Sequence, residues 1–189
     1  MRLSTPRVEP LSKEEFSAEA RAIVVRTLAE ENCTLNVIAT FGRIPAAMAG
    51  FLSWADYIMS KNSLTDRERE IVTVRTAHLA RSAYEIARHV EPSRAAGVTP
   101  EEFDRIRQGP KAGWNPADAA LIGACDDLFE DQCVSDAVWR SLVEHFGQRG
   151  AMDVVMTSAQ YFQLAMILNS FGVQVEPEVQ AQLGDLLKF

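Results

Sequence analysis

Apolar residues recur at helical spacing along nearly the whole chain, and no stretch alternates with period two between turn residues. After a possible cap at Ser12 and Glu15, Phe16, Ala20, Ile23, Val24 and Leu28 fall on one helical face up to about residue 31. Residues 36–41 form a short apolar turn or two ended by Gly42, and Pro45 suits the first turn of a helix that carries Ala49, Leu52, Ile58 and Met59. Thr65 with Glu68 reads as a capping box that opens a helix at Asp66, running to about residue 80. Ser82 with Glu85 reads as a second capping box, and its helix runs over residues 83–96, where Gly97 supplies the left-handed stop.

The same punctuation continues to the C-terminus. Thr99-Pro100 and Asn115-Pro116 each pair an N-cap with a proline at the first helical position, and Ser135 caps a further helix. Residues 150–170 are apolar on more than one face, as in a helix buried between others or used at a subunit contact. Gly172 ends that helix, and residues 177–187 predict a last short one. Pro6 and Pro10 make the first eleven or so residues an extended arm. The pattern predicts an all-α, compact multi-helix bundle. No repeat or linker divides it, and the breaker-rich loop at 108–115 is too short for a boundary, so residues 1–189 read as one domain.

Charge and composition narrow the function. A net charge of −7 and a pI near 5.0 argue against nucleic acid, which demands a basic face. No apolar run approaches the ~20 residues that span a bilayer, and the arginines of the N-terminus precede no apolar stretch of a secretory signal. Cys33, Cys125 and Cys133 match no zinc or redox spacing. Reduced thiols in a cytoplasm are the simplest reading.

The candidate chemistry lies in residues 67–89. Glu85 and His89 are four apart, on one helix face and close enough to share a proton, and Glu70 joins them if the preceding helix packs alongside. Each has a plain alternative: Glu70 as a carboxylate favoured in the first turns of a helix, Glu85 as the partner of Ser82 in a cap, His89 as a hydrogen-bonded core or surface histidine. His78 and His145 have no matched context and read as structural. Glu70 with Glu85 and His89 is also a conceivable oxygen and nitrogen ligand set, but with no obvious fourth ligand except His78 no metal is expected.

The spacing Glu70, eleven residues, Ser82, two residues, Glu85, three residues, His89 resembles the carboxymuconolactone decarboxylase and alkylhydroperoxidase D-like superfamily. The peroxidase branch has cysteines where Ser82 and Glu85 stand here, whereas the decarboxylase branch ends its motif in Glu, three residues, His, as Glu85 and His89 do. The segment from Leu64 to Ala77 and the run LNSFGVQVEP also resemble family members, so the likeness covers roughly residues 36–177. It implies the alkylhydroperoxidase D-like bundle, chemistry without a cofactor, Glu70, Glu85 and His89 as catalytic residues, and a homo-oligomer, trimer or hexamer. Arg75, in the family-like segment, and Ser82 are the substrate-binding candidates.

The reaction so implied is decarboxylation of a small unsaturated lactone or related organic acid. Loss of CO₂ places an electron pair in a conjugated carbonyl, whose oxygen needs a donor and whose carbon needs a proton. The same residues suit an isomerase or lyase without decarboxylation, or a degenerate oligomer that binds a ligand without turning it over. Thiol peroxidation requires an attacking and a resolving thiol, which Ser82 and Glu85 cannot supply.

Overall fold

A computed structural model describes residues 3–183. Among them there is helix and no strand. The α-helices are α1 (Ala18–Thr27), α2 (Asn36–Phe41), α3 (Pro45–Asp56), α4 (Asp66–Leu79), α5 (Ala83–Ala95), α6 (Pro100–Gln108), α7 (Pro116–Asp131), α8 (Asp136–Phe171) and α9 (Pro177–Leu183). The all-α expectation is met, and the part of the last predicted helix beyond residue 183 lies outside the described residues. No helix of the described residues is long and apolar enough to cross a membrane.

The predicted caps set most of these boundaries. The Thr65 hydroxyl accepts from Glu68 N while Glu68 reaches back to Thr65 N, and Thr99 with Glu102 repeats the exchange at α6. Asn115 accepts from Asp118 N to open α7. Gly97, Gly109 and Gly172 have φ of 88°, 98° and 72°, so the chain turns away after α5, α6 and α8 in a conformation that costs glycine little.

Three differences from the sequence reading have physical causes. The first predicted helix is interrupted: Ser12 and Glu15 cap only the 3-10 turn Lys13–Glu15, and Ser17 then caps α1 afresh. The helix opened by Pro45 widens into a π-turn at Tyr57–Lys61, where the Tyr57 hydroxyl donates to Asp153 at 2.7 Å. Ser135 makes no cap bond; its N and Oγ both donate to Asp127 instead. Within α8, Gly147 has φ 68° and ψ 173°, so the element is two helices in line across a kink, as the separate sequence patterns on either side predict.

The centre of the molecule is α4, which packs against α5, α6, α7 and α8. From Glu70 to Ala77 every residue is buried, including Thr73, Arg75 and Thr76. The apolar second half of α8, read as buried between other helices or used at a subunit contact, keeps an outer face on which Met166 is 64% exposed. A second core, made by Phe16, Ile23, Val24, Ile38, Met48 and Leu52, joins α1, α2 and α3 and shares Val37, Phe41 and Phe51 with the main one. The N-terminal arm lies against the end of α8, with Arg7 N and Val8 N donating to the Phe171 carbonyl.

Candidate active site

The site is built by the hairpin of α4 and α5. Arg81 takes a left-handed conformation (φ 52°), and Ser82 N donates to the Ala77 carbonyl at 2.9 Å, closing a connection short enough to force the helices antiparallel. Glu70 lies seven residues before Ala77 and His89 seven after Ser82, so the hairpin sets them opposite one another. Pro92 sits inside α5, where it lacks the N–H that would bond the Arg88 carbonyl, one turn from both His89 and the tip of the helix.

His89 Nδ1 and Glu70 Oε2 are 2.9 Å apart, and the same oxygen accepts from the Ser93 hydroxyl at 3.2 Å. Glu70 is 4% exposed. A carboxylate there places the ring proton on Nδ1, leaving Nε2 to exchange a proton with a ligand. The imidazole is held edge-on by Tyr161 of α8, with ring centroids 5.1 Å apart and planes at 86°. The His89 side chain is 15% exposed, so the ring reaches the surface while its carboxylate partner does not.

Glu85 is different. It is 2% exposed, and neither carboxyl oxygen has a hydrogen-bond partner among the described residues. Burial pushes it up to about 8, opposed only by a contact to the Ser82 hydroxyl too long or too bent to be a hydrogen bond. At neutral pH it is a protonated acid. The predicted capping box at Ser82 is not formed, since Ser82 makes no side-chain cap bond, so the plain reading of Glu85 as a cap partner falls away. Nor does Glu85 bond His89. Four-residue spacing permits that contact, but α4 delivers a carboxylate to the ring first, and it is Glu70 that orients the imidazole.

Tyr161 completes the cluster from the α8 side. Its phenol is pushed well above the ordinary range by burial and by the charge of Glu70, and further by Glu85; the Thr73 hydroxyl and Arg69 act the other way. Sequence reasoning missed both Tyr161 and Ser93. Ser93 had a signal, being four residues beyond His89 on the same helix face. Tyr161 had none, because it arrives from a distant helix.

Arg75 is not brought to this cluster. Its Nε donates to Asp126 at 2.6 Å and its Nη1 to the carbonyls of Ile106 and Arg107 at 3.0 and 2.8 Å, so the guanidinium ties α4 to the end of α6 and to α7. His78 lies on that same side, pushed down to about 4 by burial and by Arg75, and is therefore neutral at physiological pH. His145 is exposed. No group of three or more His, Cys, Asp or Glu among the described residues is arranged to hold a metal. Cys33 and Cys125 are buried and Cys133 is exposed; burial pushes the Cys125 thiol up to about 11. A groove of about 700 Å³ lies away from the cluster, on the outer side of α7 and α8, lined by Leu128, Phe129, Val155, Phe162 and Met166 among others.

Comparison with known proteins bears on the fold. Residues 45–124 match the profile of the carboxymuconolactone decarboxylase family. No curated protein sequence matches the chain significantly. Among solved structures, the chain is similar to an alkylhydroperoxidase AhpD core, an uncharacterized peroxidase-related protein from Ralstonia eutropha JMP134, with a TM-score of 0.79, 21% identity, and coverage of 92% of this chain and 94% of that one. It is also similar to an uncharacterized peroxidase-related protein from Silicibacter sp. TM1040 (TM-score 0.72, 14% identity, 98% and 95% covered). A third is the debrominase Bmp8 in its apo form (TM-score 0.72, 16% identity, 96% and 97% covered). At these identities the likeness is one of fold.

Proposed function

We propose that this chain, whose residues 45–124 match the carboxymuconolactone decarboxylase family profile, is a cofactor-free carboxy-lyase of that family acting on a small unsaturated lactone acid by Glu/His acid–base catalysis. The observation that carries the reading is the buried Glu70–His89 pair, with the buried and unpartnered carboxyl of Glu85 one turn before His89 on α5. In the reaction the bond between the substrate carbon and its carboxylate breaks, CO₂ leaves, and the electron pair passes into the conjugated lactone carbonyl as a dienolate. His89, protonated on both ring nitrogens, donates to the dienolate oxygen through Nε2, its ring fixed by Glu70. Glu85, already carrying its proton at neutral pH, delivers it to carbon and is recharged from solvent.

Thiol peroxidation is not proposed. Ser82 and Glu85 hold the positions of the two cysteines, and a Cys125 thiol raised to about 11 is a poor source of thiolate. The deciding experiment is CO₂ release from carboxymuconolactone. His89→Gln should lower kcat by ~10²–10⁴-fold with an unchanged circular dichroism spectrum. Release that persists undiminished in the variant ends the reading. If the wild-type protein leaves that lactone intact but exchanges its α-proton with D₂O, a related isomerase takes its place, and binding without either marks a non-catalytic member.

We also infer a homo-oligomer, a trimer or hexamer in the cytoplasm. The outer face of α7 and α8 supports it: Phe129 stacks on Phe162 at 5.8 Å, and Phe129, Met152 and Met166 are 47%, 49% and 64% exposed. Light scattering that returned the monomer mass at micromolar concentration would remove this inference.

A further inference from the structure

The first turn of α5 carries Glu85, yet no local contact fastens it. A helix start is ordinarily tied down by an N-cap side chain that accepts from the second or third amide, and Ser82 makes no such bond. The anchor is instead Tyr84, the residue beside Glu85, buried at 4% exposure. Its hydroxyl donates to Glu176 Oε1 at 2.8 Å and accepts from Val37 N at 3.3 Å. Burial, and after it the charge of Glu176, pushes the phenol well above its ordinary range, so it stays a donor wherever the fold persists.

Glu176 gathers three parts of the chain at one oxygen. It stands immediately before α9 and is 6% exposed, and its Oε1 also accepts from Asn36 N at 2.9 Å. That amide opens α2, whose N-cap is Leu35, a residue with no side-chain acceptor to offer. A carboxylate 140 residues away in sequence supplies it. Asn36 Nδ2 donates in return to the Gln174 carbonyl at 2.9 Å, so the segment before α9 is bound to α2 and to α5 at the same place.

We propose that Glu176 is a positioning residue of the candidate site: by holding the Tyr84 hydroxyl it fixes the first turn of α5, and with it the direction in which Glu85 points. Successive residues on a helix differ by ~100° about its axis, so a turn pinned at Tyr84 leaves Glu85 one direction. Glu85 has no hydrogen bond of its own among the described residues to keep it there. Released from Tyr84, an uncapped turn frays, and the carboxyl is free to swing toward water. This rests on the acid–base reading above for the task given to Glu85, but the contact itself does not depend on that reading.

Tyr84→Phe removes one hydroxyl, and ¹³C NMR of the glutamate carboxyls reads the result without any substrate. Glu85 should titrate at about 8 in the wild-type protein. In Tyr84→Phe it should titrate about one pH unit or more lower, because a loosened first turn lets water reach the carboxylate. Tyr57→Phe is the control: it removes a phenol bond of the same kind, 2.7 Å to Asp153, from the π-turn after α3. It should lower the urea midpoint and leave the Glu85 titration where it was. Glu176→Gln keeps an acceptor oxygen for Tyr84 and Asn36 and should hold Glu85 near its wild-type value, whereas Glu176→Ala should not. Every one of these substitutions leaves the charged and titratable groups of the cluster in place, Glu70 and Arg69 on α4, Tyr161 on α8 and His89 on α5 itself. A Glu85 titration unchanged in folded Tyr84→Phe, or displaced as far by Tyr57→Phe, overturns the positioning role. Failure of the carboxy-lyase reading shows elsewhere, in CO₂ release, and leaves this titration as it is.

Discussion

The two sides of α4 make an instructive pair. Toward α6 and α7, Arg67, Arg75 and Asp118 are ionic and paired: both arginines make three bonds, and Asp118 accepts from Arg67 and from Asn115 as well. Toward α5 and α8 the same helix presents Glu70 and Thr73 to a cluster in which Glu85, Ser82 and Thr73 keep side-chain oxygens without a partner. Burial is deeper on this second side, where Glu70, Thr73, Ser82 and Glu85 are all buried while the Arg67 side chain keeps 29% of its surface exposed. A polar group left unsatisfied in a protein interior costs about 1–3 kcal/mol, so the orphaned oxygens of Thr73, Ser82 and Glu85 mark where stability has been given up, whereas the ion pairs of Arg67 and Arg75 are architecture. Polarity in a buried helix does not by itself identify a site; incomplete satisfaction does.

This contrast can be tested by substitution, starting where the effect should be greatest. Arg75→Gln removes the partner of Asp126 and the donor to two carbonyls at once, and breaking a buried pair in this way typically costs about 3–5 kcal/mol. Urea unfolding should register that loss. Arg69→Gln should change the midpoint little, because its ion pair is with an exposed carboxylate. Equal losses in the two variants would erase the distinction between the two sides.

Glu85→Gln tests the orphan acid through pH. In the unfolded chain Glu85 ionises near its ordinary 4.5, but burial raises it to about 8 in the fold. The folded state therefore holds an extra proton between those values, and the wild-type protein loses stability relative to the variant as pH rises through that window, at about 1.4 kcal/mol per pH unit. The difference is absent below 4.5 and constant above 8. At pH 7 it amounts to ~3 kcal/mol, read as the divergence of two denaturation series. Parallel pH curves would mean that Glu85 is ionised in the fold. Loss of its proton above pH 8 should also end its service as an acid, so turnover should fall on the alkaline side.

The smallest effect expected is none. Cys133 is exposed and remote in sequence from the α4–α5 hairpin, and Cys133→Ser should leave turnover within error. A large loss would put thiol chemistry back in contention.

How much of this was legible beforehand follows from the range of each interaction. Caps, prolines and left-handed glycines act within a few residues, so the boundaries at Thr65, Thr99, Asn115, Gly97 and Gly172 could be read from the chain. Where a side chain found a distant partner the local signal misled: Ser135 turned to Asp127, Tyr57 to Asp153, and Ser82 capped nothing. The motif placed Glu70, Glu85 and His89 together in outline. Spacing within α5 suggested a Glu85–His89 bond, whereas the bond formed is between helices.

By itself, then, the sequence determined the helical class, most element ends, and the hairpin that sets Glu70 opposite His89, because periodicity, capping and a short antiparallel turn are local. Tertiary structure alone decided that α4 is the central helix, that Arg75 ties α4 to α6 and α7, and that Tyr161 closes the cluster. Those outcomes depend on which faces of remote helices meet. The raised pKa of Glu85 belongs with them: a carboxyl four residues before a histidine reads as its ionised partner, and only burial in the folded protein favours the acid form.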